Sequence, residues 1–385
     1  MGSGSEFIDE KVLRKDYPMQ LVKTHRDALL RPLQIVSGIV ERRHTLPILA
    51  NILIRKEGDE LSLLSTDIEV QISTHAAIGS GKESAATTVA ARKLLDILRA
   101  LPDDEVTLSL TNKRMTVQCG KSRFALQTLA AEEFPTVAKA EHYTAELSLP
   151  QKTLKHLFNM VHFAMAQQDI RYYLNGLLLV VDGKNVIAVA TDGHRLAFSQ
   201  ITTDQEFARQ EVIIPRKTII ELQRLLEEND DQVKLQIATN QVKFDFGNIE
   251  LISKLVEGKF PDYTRVIPKA YKNNFSISRE LLLRALQRSA IMTSDKFKGV
   301  RCVIAPGSLK ISSTNADQEE ATEEIEIDYG GDGVDIGFNV TYLLDVLNNL
   351  KCDQISISLG DANSSALITL PDDTSFKYVV MPMRI

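Results

Sequence analysis

One eight-residue pattern occurs three times in this chain at nearly even spacing. Leu94-Leu95-Asp96-Ile97-Leu98-Arg99-Ala100-Leu101 returns as Ile219-Ile220-Glu221-Leu222-Gln223-Arg224-Leu225-Leu226, and again as Leu343-Leu344-Asp345-Val346-Leu347-Asn348-Asn349-Leu350. A second marker, Thr66-Asp67, returns as Thr191-Asp192 and Thr314-Asn315, and turn glycines fall in step at Gly58, Gly183 and Gly307. All three markers repeat every 123 to 125 residues. Agreement among independent markers requires three copies of a unit of about 124 residues, each large enough to fold around its own core.

Each copy reads as helix, strands, helix, strands. Apolar residues at helical spacing predict opening helices over Ala28–Val40, Thr153–Met165 and Leu281–Met292. The second helix of each copy carries the repeated pattern. Gly176–Val181 and Val186–Thr191 flank Asp182-Gly183 as a hairpin, and Gln232–Ile237 with Gln241–Phe246 are two closing strands. Each copy thus divides into two similar halves, six halves in all. Pro135, Pro261 and Pro268 mark the joints, giving expected domains over 19–145, 146–268 and 269–385. Strands follow strands through short turns, so the class is α+β with antiparallel sheets. Residues 1–18, opening Met1-Gly2-Ser3-Gly4-Ser5, read as an expression tag or extension before Met19.

Composition excludes several classes. With 44 % hydrophobic and 25 % charged residues the chain is neither disordered nor fibrous. Its longest apolar runs, such as Leu177–Val181, are strand-sized and far short of the roughly 20 residues a membrane helix needs. Cys119, Cys302 and Cys352 are odd in number and far apart, which argues for a reducing cytoplasm and against disulfides or a zinc site.

Catalytic motifs are missing. No phosphate-binding glycine loop, GxSxG or HExxH occurs, and His156 and His162 are spaced wrongly for a metal, so neither metal nor cofactor is expected. The most tempting catalytic candidate is Thr191-Asp192-Gly193-His194-Arg195. The other copies carry Asp67-Ile68-Glu69 and Asn315-Ala316-Asp317 there, without a histidine, so the segment is expected to be a turn with an exposed imidazole. Charge placement is more telling. The helical windows 24–43, 90–101, 151–165 and 278–292 each carry +2, while 215–228 and 339–351 are neutral. The helices therefore hold +8 in a chain of net charge −6, which suggests a basic surface facing a polyanion.

Four segments add a resemblance. Arg171-Tyr172-Tyr173-Leu174-Asn175-Gly176, Ala190–Ala197, Ser253-Lys254-Leu255-Val256-Glu257-Gly258-Lys259-Phe260-Pro261-Asp262-Tyr263 and the terminal Tyr378–Ile385 resemble the bacterial sliding clamps, the β subunits of DNA polymerase III. The likeness runs from Met19 to Ile385, with Ile385 standing where close relatives are expected to have Leu. It implies a head-to-tail homodimeric ring with helices inside and sheets outside. Twelve helices about 10 Å apart make a circle of axes about 38 Å across, leaving roughly 28 Å inside for a duplex of about 20 Å. Contacts there go to phosphate and carry no sequence information.

The resemblance also implies sites. Encircled DNA would touch Arg43, Arg99, Gln168, Tyr172, Tyr173, Arg216 and Lys217. A pocket for short peptides of partners, namely the polymerase α subunit, the clamp loader and other clamp-binding proteins, would involve Leu174, Thr191, Gly193, His194, Arg195, Leu196, Pro261, Arg265, Val266, Asn339, Tyr342, Val379, Met381, Pro382, Met383 and Arg384. Apolar members would take Leu or Phe anchors while Arg and His line the rim. Dimer closure would set Lys113, Arg114, Lys121 and Arg123 against Glu319, Glu320, Glu323 and Glu324, over apolar Leu126, Ile291 and Met292. An enzyme using Asp192 and His194, or an interaction scaffold indifferent to DNA, remain alternatives at this stage.

Overall fold

The computed structural model describes residues 18–41, 46–111, 113–294 and 297–384. Arg43, Ile385 and all of the expected extension except Pro18 lie outside these. The chain forms two compact units, Met1–Lys139 with Asn248–Ile252, and Ala140–Gly247 with Ser253–Ile385.

Seven α-helices occur among the described residues: α1 (Arg26–Val36), α2 (Ala91–Ala100), α3 (Gln151–Asn159), α4 (Arg216–Leu225), a single turn α5 (Tyr263–Val266), α6 (Arg279–Ala290) and α7 (Val340–Asn349). The repeated pattern lies on α2, α4 and α7, and each packs against the opening helix of its own copy. The pattern's leucines are the reason. Leu94 and Leu98, Ile219 and Leu222, and Leu343 and Leu347 all point inward and are buried.

Three expectations need correction. Every copy opens with a strand rather than a helix: Met19–His25, Ala145–Pro150 and Asn273–Ser278 precede α1, α3 and α6. These strands pair antiparallel with Glu105–Thr111, Gln232–Ile237 and Gln354–Leu359, so the start of each copy is held by its end. The opening helices are also shorter than their apolar patterns. Beyond α1 and α3 the chain tightens into 3₁₀ turns at Ser37–Ile39 and His162–Ala164. Finally, three strands close each copy, the third being Ser122–Leu129, Ile249–Lys254 and Asp373–Val380.

In the first unit, eight strands follow one another in an antiparallel array from Met19–His25 to Val70–Ala76. In the second, the closing strand Asp373–Val380 pairs with Arg195–Pro215, matching Arg195 with Val380 and Ser199 with Phe376. This joins middle-copy and last-copy strands in one sheet. Extended structure runs unbroken from Gly176 to Thr191. The turn expected at Asp182-Gly183 survives as breaks in register around Gly183, whose φ is +55°. Gly58 and Gly307 adopt the same left-handed backbone, at +60° and +79°.

Helix capping explains a signal that the sequence lacks. His25, Ala90, Pro150 and Pro215 precede helices without a side-chain cap. Distant backbone supplies partners instead for three of these four. The first helical N–H groups of α1, α3 and α4 donate to the carbonyls of Asp104 (2.9 Å), Asp231 (2.8 Å) and Asn175 (3.0 Å). The Arg26 and Arg279 guanidiniums complete the arrangement by donating to carbonyls at the ends of α2 and α7, Leu101 (2.7 Å) and Leu347 (3.0 Å).

Candidate functional site

The Thr191–Arg195 segment is a tight turn built from its own side chains. Asp192 Oδ1 accepts from the backbone N–H groups of His194 (2.9 Å) and Arg195 (3.1 Å), and Thr191 Oγ1 accepts from Gly193 N–H (3.1 Å). The first copy repeats this bond for bond. Asp67 Oδ1 accepts from Glu69 and Val70, and Thr66 Oγ1 accepts from Ile68 N–H. In the third copy Asn315 Oδ1 accepts from Asp317 and Glu319. The motif is structural in all three places. The Asp192 carboxylate is committed to the turn and to Arg195 Nε (3.0 Å), which leaves it no role as an acid or base toward the exposed His194.

Arg195 is not the rim residue expected of it. Its side chain is 9 % exposed and donates to Asp192, to Asp345 Oδ2 (2.6 Å) and to the Phe163 carbonyl (2.7 Å), with the guanidinium 4.5 Å from the centre of the Tyr342 ring. Burial works against its charge, but Tyr378, Asp345 and Asp192 outweigh burial and hold its pKa above the ordinary arginine value. Burial pushes the Tyr378 hydroxyl up, and that hydroxyl donates to the Tyr342 carbonyl (2.9 Å). Arg265, by contrast, is 86 % exposed and pairs with the exposed Asp262. Arg195→Ala should therefore cost about 3 kcal/mol by stranding buried partners, and Arg265→Ala under about 0.5 kcal/mol. Urea unfolding of the two variants side by side checks the contrast.

Around this turn lie many of the residues expected to line the pocket. Leu174, Leu196 and Val379 are buried in one apolar cluster with Phe198, Phe260 and Tyr263, and Val266 and Tyr173 pack on its edge. Thr191 is buried, while Pro261 is exposed. Tyr342 stacks on His194 at 6.5 Å and 18°, and Asn339 caps α7 by accepting from Thr341 N–H (2.9 Å). The tail lies alongside. Met381 N–H donates to the His194 carbonyl (2.9 Å) and Met383 N–H to the Gly337 carbonyl (2.7 Å). Met381 is exposed and Pro382 half-buried; Met383 and Arg384 line a second cleft of about 750 Å³ beside Arg301 and Asp335.

A polar cleft of about 670 Å³ brings His194, Arg195 and Tyr342 together with Gln168 and Arg216 from the expected DNA set. Tyr172 and Tyr173 meet edge to face at 5.9 Å on the adjoining loop. Arg216 is half-buried at the start of α4; burial, then the nearby Arg195 charge, lowers its pKa. Lys217 is half-buried beside it, and Arg99 is exposed in the last turn of α2. The helical charge is weaker than its formal count, since Lys152, Arg284 and Arg288 pair with Asp230, Glu280 and Glu323.

The residues expected at the dimer interface differ in exposure and in their partners within the chain. Leu126 is 9 % exposed, while Phe124, two residues earlier on the same face of Ser122–Leu129, and Leu129 are exposed apolar side chains of that strand. Glu323 is engaged by Arg288 within the chain (2.6 and 2.8 Å), and Glu319 accepts from Asn315 (2.6 Å). Glu320, Glu324, Lys113, Arg114, Lys121 and Arg123 are exposed, and so is Ile291 at 74 %; Met292 is half-buried. Sequence reasoning passed over Asp169 and Phe163 and gave no site role to Arg171 and Asp345, which stand within quoted segments. Among the described residues one group, His25, Asp27 and Asp103, is close enough to hold a metal, but Arg26 already pairs with both acids.

Residues 19–138, 148–262 and 264–384 match the N-terminal, central and C-terminal domains described for the DNA polymerase III beta subunit. The beta sliding clamp of Pseudomonas aeruginosa is 44 % identical over 362 residues, covering 94 % of this chain and 98 % of the relative. That of Escherichia coli K12 is 44 % identical over 361 residues, with the same coverage. The crystal structure of the Pseudomonas aeruginosa DNA polymerase III subunit beta superposes with a TM-score of 0.91 at 44 % identity, over 95 % of this chain and all of that one. The Caulobacter crescentus sliding clamp gives 0.88 at 37 % identity, over 95 % of this chain and all of that one. The chain belongs to the DNA polymerase III beta subunit family, the bacterial sliding clamps.

Proposed function

We propose that two copies of this chain close head to tail around duplex DNA and tether the replicative polymerase α subunit, the clamp loader and other proteins bearing clamp-binding peptides. The carrying observation is the threefold repeat, with the turn hydrogen bonds of its first two copies alike, in a chain that resembles clamps over nearly its whole length. The family is not an enzyme family, and the committed Asp192 carboxylate supports the same conclusion here. Peptide anchors would settle on the Leu174, Leu196 and Val379 cluster against the tail, with DNA at Gln168, Tyr172, Tyr173, Arg216, Lys217, Arg99 and Arg43. No helix among the described residues is long and apolar enough to cross a membrane, and we place the working protein in the cytoplasm.

The dimer is the first thing to test. Its mass should be near twice 42.9 kDa. Exposed ion pairs contribute little individually, and Glu323 is already taken, so apolar contact at Ile291, Met292 and Phe124 should dominate closure. Ile291→Ala with Met292→Ala should give monomers at micromolar concentration in sedimentation runs. An unchanged dimer would place the interface elsewhere.

A further inference from the structure

We infer that Arg171 ties the loop carrying Gln168, Tyr172 and Tyr173 to the Asp192-Gly193-His194 turn, so that DNA held at the loop and a peptide held at the turn change each other's affinity. This rests on the function proposed above.

The loop is rigid by its own bonding. Asp169 N–H donates to Asn175 Oδ1 (2.9 Å), and Asn175 Nδ2 donates back to the Asp169 carbonyl (2.8 Å). Arg171 then grips Asp169 with a fork, Nε to Oδ1 (3.0 Å) and Nη2 to Oδ2 (2.8 Å). The same Nη2 reaches across to the Asp192 carbonyl (3.0 Å). One guanidinium thus serves both elements. Hydrogen bonds from Arg171 hold the Asp169 carboxyl down to about 2, so the fork stays charged at any working pH.

Gly193 supplies an independent argument. Its φ of +90° is no sufficient reason for glycine, because Ile68 occupies the equivalent place in the first copy at +79°. Glycine also leaves room for the guanidinium where it stands: a Cβ at position 193 would lie 2.8 Å from Arg171 Nη1, so the end of the Arg171 side chain would have to shift away from the turn. Ile68 and Ala316 stand at this position in the other copies. The middle copy alone couples a glycine in this turn to an arginine from a neighbouring loop. A ligand that shifts either element must shift the shared guanidinium, and by linkage the effect is reciprocal.

The experiment uses the full chain as wild type, Arg171→Ala and Arg171→Lys. A fluorescent peptide ending in Leu-Phe is titrated with and without saturating primed duplex. In the wild type, DNA should change the peptide Kd by about fivefold or more. In Arg171→Ala the change should fall below about twofold, with unchanged thermal unfolding because the pair is solvent-screened. A lysine ammonium cannot span both carboxylate oxygens and the carbonyl, so Arg171→Lys should behave like alanine. Equal DNA effects in wild type and Arg171→Ala, or none in a wild type that binds the peptide normally, overturn the inference alone. A wild type that does not bind the peptide overturns the proposed function as well.

Discussion

Loaded onto a nicked circular duplex by its loader and ATP, this protein should survive a high-salt wash and then leave when the circle is cut once. The two halves of that result separate a ring from a binding surface. A basic patch holds DNA by releasing counterions, so salt strips it equally from circles and from linear molecules. A closed ring is held by linkage, and its charges only centre the duplex. Linearisation changes no local contact, yet it opens a path off the end. The helical charges make a smaller prediction. Neutralising Arg43, Arg99 and Lys217 together should slow loading more than it shortens retention, because charge draws the duplex in while linkage holds a closed ring. Protein that stays on the linear product would sink the encircling mechanism and favour a DNA-binding scaffold.

Removing Met381 to Ile385 should abolish peptide and polymerase binding while leaving the fold and the dimer. The tail contributes two backbone hydrogen bonds, to His194 and Gly337, worth about 1 kcal/mol each. The sheet ends before it, since Val380 is the last residue paired, opposite Arg195. Loss of the tail therefore takes a wall from the groove and little from the core. Binding by the truncated chain equal to that of the full one, in a fluorescence titration, would put the pocket elsewhere.

What could be read from the residues alone was whatever repeats or punctuates. The leucine pattern located α2, α4 and α7, and Thr-Asp located a turn whose hydrogen bonds recur in the first and second copies. The opening strands escaped because Met19–His25 and its equivalents are short and become strands only through partners far along the chain. Helix starts were blurred because backbone carbonyls, which leave no trace in a sequence, satisfy several of them. At the site, residue type was the wrong guide. Arg195 and Arg265 look alike in sequence, and burial alone makes one a keystone and the other a solvated side chain. Arg171 was quoted only as part of a motif, since the carboxylate and carbonyl it joins lie on separate segments.

The borrowed caps also bear on how the chain is made. The first N–H of α1 waits for the Asp104 carbonyl, and the strand before it waits for Glu105–Thr111, about 80 residues downstream. The same delay recurs at Gln151 with Asp231 and at Arg279 with Asp353. A chain leaving the ribosome at about 5–20 residues per second must hold each opening helix unfinished for several seconds. Each copy then closes in one event when its end emerges, and stalling inside a copy would leave its apolar helix face open to chaperones.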